Sequence, residues 1–462
     1  VSVAPRLRVL GAGLAGCEAA WQAAQRGIEV ELYEMRPQRR GPAHSTDALA
    51  ELVCSNSLRG AALENAVGLL KEELARLDSL IVGAAREAAV PAGGALAVDR
   101  ARFSEAVEAR LAHHPRIRIL REEAIAIDPS VPTIVACGPL PSQALADAID
   151  ALLARVAPDG ARPRLHYYDA AAPIVATESL DQTPLYRKSR YEKGDGDDYL
   201  NVPLEREQYE QLVRDLCELP KHDPKGFELD LASGKIPYFE GCLPIEEMAR
   251  RGAETLRFGP LKPVGLRHPE TGVTPYAVVQ LRKENAAGSA MNLVGFQTRL
   301  TWPAQREAFG KLPGFANAEW IRLGVMHRNS FLDAPRALLP DLRLRGTECV
   351  WFAGQITGAE GYVEAAACGA IAGIAAARQV RGLPALPVPE DTALGAIVAH
   401  LQNTTTPDFQ PSNVSWAPFS PLPGPPIREK RERRRRLAER ALARLDAWRA
   451  ALERDAAAVL TV

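Results

Sequence analysis

Apolar and polar positions change rhythm several times along the chain. A short apolar run ending at Val9 and Leu10 reads as a buried strand. Leu14, Cys17, Ala20, Trp21 and Ala24 then recur at helical spacing on one face. Residues 28–33 alternate, which predicts a second strand, and Glu34 closes it. A polar stretch over 35–47, with Arg36, Arg39 and Arg40, reads as a loop. Helical periodicity returns over 65–80 and again over 103–113, and 117–120 and 124–127 read as short strands. A buried strand at 133–136 runs into Cys137, Gly138 and Pro139, with a helix expected over 140–153 and a strand over 168–175. From about residue 179 to 324 the pattern breaks into short strands and loops rich in proline, charge and tyrosine. A strand at 348–353, an alanine-rich helix ending at Arg378, a helix at 394–401, a proline-rich connector and an amphipathic helix from Arg428 to about Asp455 complete the chain.

The junction between the first strand and helix carries the chemistry. Gly11, Ala12, Gly13, Leu14, Ala15 and Gly16 give the spacing G-x-G-x-x-G, placed between strand and helix. Gly11 makes the tight turn, Gly13 lets a pyrophosphate approach bare backbone, and Gly16 lets helix and strand pack closely. The helix N-terminus offers free N–H groups and a partial positive charge to phosphates. Glu34 stands where a carboxylate accepts hydrogen bonds from an adenosine ribose, and its charge disfavours a 2′-phosphate. The adenosine half therefore belongs to NAD or FAD. A second segment, Gly354, Gln355, Ile356, Thr357 and Gly358, follows the late strand. A distant strand–glycine return of this kind is expected beside a flavin and is not needed by a NAD dehydrogenase, so we expect FAD.

These elements predict an α/β fold: a Rossmann-like FAD-binding domain of the two-dinucleotide-domain flavoprotein type with an inserted smaller α+β domain. The expected layout is 1–178 and 325–427 for the two parts of the FAD-binding domain, 179–324 for an inserted substrate and folate domain, and 428–462 for a basic helical extension.

Composition adds limits. A net charge of −1 announces no nucleic-acid partner for the molecule as a whole, although a local basic patch is compatible with it. No stretch reads as a signal peptide and no uncharged apolar run has spanning length, so a soluble, cytoplasmic protein with no membrane partner is expected. The seven cysteines show neither C-x-x-C nor zinc spacing, so no metal is expected. Cys17, Cys349 and Cys368 fall on core faces. Cys54 and Cys242 stand in polar, irregular contexts, Cys242 just ahead of a helix starting after Pro244, where a thiolate is favoured. On composition alone each is as well explained as a small buried hydrophobe.

Taken together, the glycine motif, Glu51 to Arg59 around Cys54, Phe239 to Glu246 around Cys242, Gln280 to Asn285, Gly295 to Thr298 and Gly354 to Gly358 resemble one family. It is the folate- and FAD-dependent tRNA (uracil-54, C5) methyltransferases of bacteria. The likeness extends to about residue 420, and its FAD motifs are shared with the tRNA wobble-uridine-modifying flavoproteins. The resemblance implies that NAD(P)H supplies electrons, 5,10-methylenetetrahydrofolate supplies the one-carbon unit, and FAD mediates transfer of both to C5 of uridine 54 in the tRNA T-loop. The alternatives are a related tRNA wobble-uridine-modifying flavoprotein, a general FAD oxidoreductase and a non-catalytic flavin-bound tRNA chaperone.

That chemistry calls for a thiol. Uracil C5 is a poor nucleophile until a thiolate adds at C6 and makes C5 enolate-like; a base must later remove the C5 proton. We expect Cys242 to be the C6 nucleophile and Cys54 a second thiol near the flavin, acting as base or as protector of the activated uracil; the two roles are exchangeable at this stage. Arg282, Asn285 and Gln297 are expected toward the folate, with loop capping as their alternative. Arg187, Lys188, Arg190, Arg250, Arg251 and the arginine-rich tail are expected to contact tRNA phosphates, or in the tail's case to form a solvated helix face.

Overall fold

A computed structural model of the chain describes residues 6–156, 164–192, 196–222, 243–405 and 409–459. β1 (Arg6–Leu10) buries Leu7 and Val9 and turns at Gly11, φ +103°, into α1 (Leu14–Gln25). β2 (Glu29–Tyr33) lies parallel to β1. After a long loop come β3 (Ser57–Gly60), α2 (Ala66–Arg76) and α3 (Leu80–Glu87). The single helix expected over 65–80 is therefore broken: Asp78 sits at φ +54° and Ser79 caps the second helix by accepting from the Val82 N–H. β4 (Ala89–Val90), β5 (Ala95–Val98) and α4 (Arg100–His113) follow, with the Asp99 carboxylate accepting from the Ala101 and Arg102 N–H groups. β6 (Ile117–Leu120) forms as expected, but 124–127 makes no strand and leaves Ile125 exposed. β7 (Thr133–Val135) and α5 (Gln143–Val156) close this segment.

The expected strand over 168–175 is two strands in different sheets, β8 (Arg164–Ala170) and β9 (Ile174–Ala176). Pro173, which has no N–H to give a ladder, stands at the break. β10 (Tyr186–Arg187), β11 (Tyr199–Leu204), α6 (Arg206–Glu218), α7 (Ile245–Arg250), α8 (Thr255–Phe258), β12 (Ala277–Lys283), β13 (Ala290–Leu293), α9 (Trp302–Gly310) and β14 (Trp320–Arg322) build a second body. The chain returns through β15 (Met326–Leu332), α10 (Ala334–Ala337), β16 (Val350–Phe352), α11 (Tyr362–Val380), α12 (Ala393–Leu401) and α13 (Lys430–Val459).

Among the described residues the strands form four sheets. The first is parallel, in the order β16-β7-β1-β2-β6, so strands far apart in sequence meet through helical crossovers. The second is antiparallel, in the order β10-β11-β12-β13-β9-β14, with its own apolar core around Val202, Leu281, Phe296 and Phe309. A three-stranded sheet, β3-β5-β4, and the pair β15-β8 link the two bodies. The fold is a Rossmann-like α/β sheet carrying an antiparallel sheet.

α11 lies against α1 at very short range. A Cβ on Gly369 would fall 2.2 Å from the Ala15 carbonyl oxygen, and one on Gly373 2.5 Å from that of Ala19. Its length and apolar composition would suffice to cross a membrane, but its most apolar window is 83% buried inside the protein. α13 also belongs to the main core: Leu437, Ala441, Leu445 and Trp448 pack into it.

Candidate active site

A cavity of about 410 Å³ opens where the parallel sheet meets the antiparallel one. Gly11, Ala12, Gly13, Leu14 and Ala15 form its floor, and Gly354 and Gln355 come in beside them after β16. Three glycine positions show what the sequence pattern is for. A Cβ on Gly16 would lie 1.7 Å from the Gly11 carbonyl oxygen, so this glycine brings α1 onto the turn. A Cβ on Gly354 would lie 2.7 Å from the Ala15 Cβ. A Cβ on Gly13 would meet no protein atom within 4 Å, although Gly13 lines the cavity. The bare backbone there faces open space beside a helix N-terminus, which suits a diphosphate. Asn329 also lines the cavity; it is buried and its Nδ2 has no hydrogen-bond partner. A buried amide left unpaired in a cavity wall fits a site built to hold a polar group. Gly358 lies behind the wall, at φ +87°, with Phe409 packed on it.

The far end of the cavity differs from the expectation of a free acid. Glu34 lines it, but Arg36 donates to both carboxylate oxygens, Nε to Oε1 at 2.8 Å and NH2 to Oε2 at 3.0 Å. The Ala12 N–H also points to Glu34, at 3.3 Å. Arg36, placed in a polar loop by its sequence, is only 1% exposed because Glu51 binds it from the other side, at 3.0 Å. Burial pushes the Glu34 carboxyl up, yet the Arg36 hydrogen bond and charge outweigh it and hold the group below the usual range. Burial and the charge of Arg36 depress His44, which keeps that ring neutral beside them.

Cys54 is half-buried on the cavity wall, in a loop held from three directions. The Tyr362 hydroxyl, at the start of α11, accepts the Cys54 and Ser55 N–H groups at 2.7 and 3.0 Å. Arg322, from β14, donates to the Val53 and Cys54 carbonyls at 3.0 and 3.2 Å. Arg282, from β12, donates to Ser55 Oγ at 2.8 Å and Asn56 Oδ1 at 3.0 Å. Arg100 donates to the Leu52 carbonyl and pairs with Glu284. The Asn56 amide bridges the Val98 and Lys283 carbonyls. The guanidiniums of Arg100, Arg282 and Arg322, with the Glu284 carboxylate among them, thus fix the loop from behind, and of these Arg282 lines the cavity. Burial pushes Cys368 up to about 12 and raises Cys17 further, in accord with their places in packed cores.

The remaining expected residues divide. Arg282 and Gln297 line the cavity. Asn285 does not: its amide donates to Ser289 Oγ and its carbonyl accepts the Ser289 N–H, capping the turn between β12 and β13. Cys242 lies outside the described residues; the helix expected after Pro244 is α7. Arg250 is paired with Glu247. Part of the basic run of α13 is paired within the protein, with Arg435 and Arg436 on Glu432 and Arg431 on Glu64, and further along the helix Arg440 and Arg444 reach Asp391. Sequence reasoning missed Arg36, Ser55, Arg59, Asn329 and Tyr362 on the cavity wall. Only Ser55 and Arg59, inside the Cys54 motif, and Tyr362, behind Gly361, carried a signal.

Comparison with known proteins agrees with this architecture. The family model described as glucose inhibited division protein A matches residues 6–384. Crystal forms II and I of Aquifex aeolicus GidA superpose with TM-scores of 0.69 and 0.66, at 16% identity. They cover 99% and 96% of this chain and 75% and 78% of the GidA chain, a likeness of fold. Three methylenetetrahydrofolate–tRNA-(uracil-5-)-methyltransferases, all TrmFO, are much nearer in sequence. That of Geobacter sulfurreducens is 56% identical over 95% of this chain and 98% of its own. That of Pelobacter propionicus is 54% identical over 96% and 94%. That of Symbiobacterium thermophilum is 51% identical over 96% and 97%. With a fold, a glycine-lined cavity and a sequence likeness that all run nearly the length of the chain, it belongs to the methylenetetrahydrofolate–tRNA-(uracil-5-)-methyltransferase family.

Proposed function

We propose that this chain methylates C5 of uridine 54 in the tRNA T-loop, with 5,10-methylenetetrahydrofolate as one-carbon donor, NAD(P)H as reductant and FAD as the bound cofactor. The observation that carries it is the placing of Cys54, with Arg282 bonded to its loop, on the wall of the same cavity whose floor is Gly13 and whose side is Gly354. Gly13 with the N-terminus of α1 would hold the diphosphate, Glu34 in its Arg36 clasp would face the adenosine ribose, and Gly354, Gln355 and Asn329 would meet the ring system. FAD, when bound, supplies hydride and a carrier position for the one-carbon unit.

The residues of the chain then have defined tasks. Cys242 adds its thiolate to uracil C6, forming the S–C6 bond and placing the electron pair on C5, which bonds to the incoming methylene. Cys54 takes the C5 proton or shields the activated base. Loss of that proton breaks the bond from the methylene to its carrier nitrogen and leaves an exocyclic C5=CH2; hydride added to that carbon completes the methyl group, and the displaced electron pair restores C5=C6 and expels the Cys242 thiolate. Arg282, bonded to the Cys54 loop, and Gln297 orient the folate against the cofactor, since transfer needs contact. Arg100, Arg282 and Arg322 offset the negative charge that develops on thiolate and enolate.

The test is incubation of the purified chain with FAD, NADPH, methylenetetrahydrofolate and unmodified tRNA, followed by nucleoside analysis. Ribothymidine at position 54 is expected, and its absence while the flavin is being reduced would overturn the proposal. Cys242→Ala is expected to keep FAD and its reduction by NADPH and to lose methylation; wild-type turnover in that variant would reassign the nucleophile.

A further inference from the structure

The antiparallel body carries an aromatic and basic face outside the cavity. β10 is the edge strand of its sheet, and just beyond it Tyr191 is 57% exposed at φ +60°, a left-handed conformation uncommon for a bulky residue. The facing loop holds it there. Gly265 there has φ +82°, and a Cβ on it would lie 3.1 Å from Tyr191 Cδ1, closer than an ordinary contact. Arg190 donates to the Lys262 and Val264 carbonyls at 2.6 and 3.2 Å and to Gln280 Oε1 at 3.1 Å. Lys188 reaches the Arg267 carbonyl at 3.3 Å. Val264 on this loop is 49% exposed, and Phe258, at the end of α8 before it, is 75% exposed.

Among the described residues Arg187, Lys188, Lys262 and Arg267 form no ion pair, unlike Arg435, Arg436 and Arg440 of α13. The strip also adjoins the cavity. Gln280, which Arg190 holds, is two positions before Arg282 on β12 and so shares its face, about 7 Å away. Arg282 is the cavity residue bonded to the Cys54 loop.

Building on the tRNA-methylating role proposed above, we infer that this strip docks unpaired nucleotides of the substrate tRNA, stacking a splayed base on Tyr191 while Arg187, Lys188, Lys262 and Arg267 bind the flanking phosphates. Free cations recognise phosphate in any RNA, but exposed aromatic faces reward only bases whose own faces are free. A paired A-form stem hides those faces, whereas a loop can splay them. A uridine inside a folded loop must leave its stack to reach a pocket, and the strip lies at the edge of that pocket to receive its neighbours.

The experiment uses the flavin-loaded full chain with two fluorescent probes, a T-arm hairpin and a fully paired RNA of equal length, titrated at several salt concentrations. Tyr191→Ala is expected to weaken the hairpin by about tenfold and to leave the paired RNA unchanged. Lys188→Ala with Arg267→Ala is expected to weaken both probes and to make the slope of log affinity against log salt shallower by roughly 1–2. Flavin absorbance and NADPH-driven reduction should match wild type, which reports an intact fold. If wild type binds the hairpin and methylates tRNA while both variants bind with wild-type affinity and slope, the surface assignment is overturned and the enzymatic role stands. If wild type binds no tRNA, the enzymatic role itself falls. If Phe258→Ala abolishes a dimer seen by sedimentation while Tyr191→Ala binds the hairpin as wild type does, the face serves self-association and the inference is overturned.

Discussion

At the scale of single residues, the glycines of the first turn separate structure from binding. Gly16 has the Gly11 carbonyl 1.7 Å from where its Cβ would stand, so Gly16→Ala must push α1 off the turn. Gly13 has φ −76° and no atom within 4 Å, so alanine there strains nothing in the protein. Gly16→Ala is therefore expected to cost the apoprotein about 3 kcal/mol, the upper end of what overpacking commonly costs. Gly13→Ala should leave the apoprotein's unfolding midpoint within about 1 kcal/mol of wild type, yet weaken FAD at least tenfold, because the methyl enters the space assigned to the diphosphate. Thermal unfolding of apoprotein and flavin titration check both. Equal effects of the two substitutions on FAD and on stability would refute the assignment. Tyr362 works in the opposite sense, by position alone: its oxygen takes two N–H groups of the Cys54 loop that would otherwise be buried without acceptors.

At the scale of elements, α2 buries two ionisable groups with unlike environments. Glu73 accepts the N–H groups of Ala393 and Leu394 at the start of α12, and burial still pushes it up to about 7. Lys71 donates to the Leu58 and Gly60 carbonyls of β3, and burial followed by the nearby Arg59 charge takes it down to about 7. For Glu73 the folded state holds its proton more tightly than the unfolded state. Stability is therefore unaffected below about pH 4.5, falls as pH rises toward 7, and carries the whole penalty above that. Glu73→Gln keeps one acceptor oxygen and removes the titration. Relative to that variant, wild type is expected to lose up to ~3 kcal/mol between pH 4.5 and 7, as measured by denaturant unfolding at a series of pH values. Lys71 leaves this window flat, because it is protonated in both states below pH 7 and its penalty is relieved only as pH rises from about 7 toward 10.5.

Elements were also where the sequence could be read most directly. The first βαβ unit announced itself because strand alternation, helical spacing and three glycines fall within one short stretch, so local pattern and tertiary role coincide. The break at Pro173 and the buried Arg36 were illegible for the same reason as each other. Each depends on a partner brought by the fold, a second sheet in one case and Glu51 in the other. Asn285 looked like a ligand because of the motif around it, while its real partner, Ser289, is the ordinary neighbour across a turn.

At the scale of the whole molecule, the C-terminal helix is part of the main core and not an appendage. Leu445 is fully buried there, and Arg76 and Asp446 tie α13 to α2 at 2.6 Å. Leu445→Ala is expected to cost about 2–4 kcal/mol and to lower the unfolding temperature of the flavin domain as a whole. Arg433→Ala with Arg434→Ala should leave both stability and the salt dependence of tRNA affinity unchanged. A steep loss of RNA affinity in that double variant would return the tail to the nucleic-acid interface.

The clasp around Cys54 has a consequence for how such proteins can diverge. Residues 52–56 are held by Tyr362 and Arg100 from the parallel-sheet side and also by Arg282, Arg322 and the Lys283 carbonyl from the antiparallel body. The sulfur is thus mounted on one lobe and aimed by both. A chimera exchanging the antiparallel lobe between two distant relatives would fold and carry its cofactor with the thiol misaligned, unless this five-residue loop and its three foreign partners moved as one inherited unit.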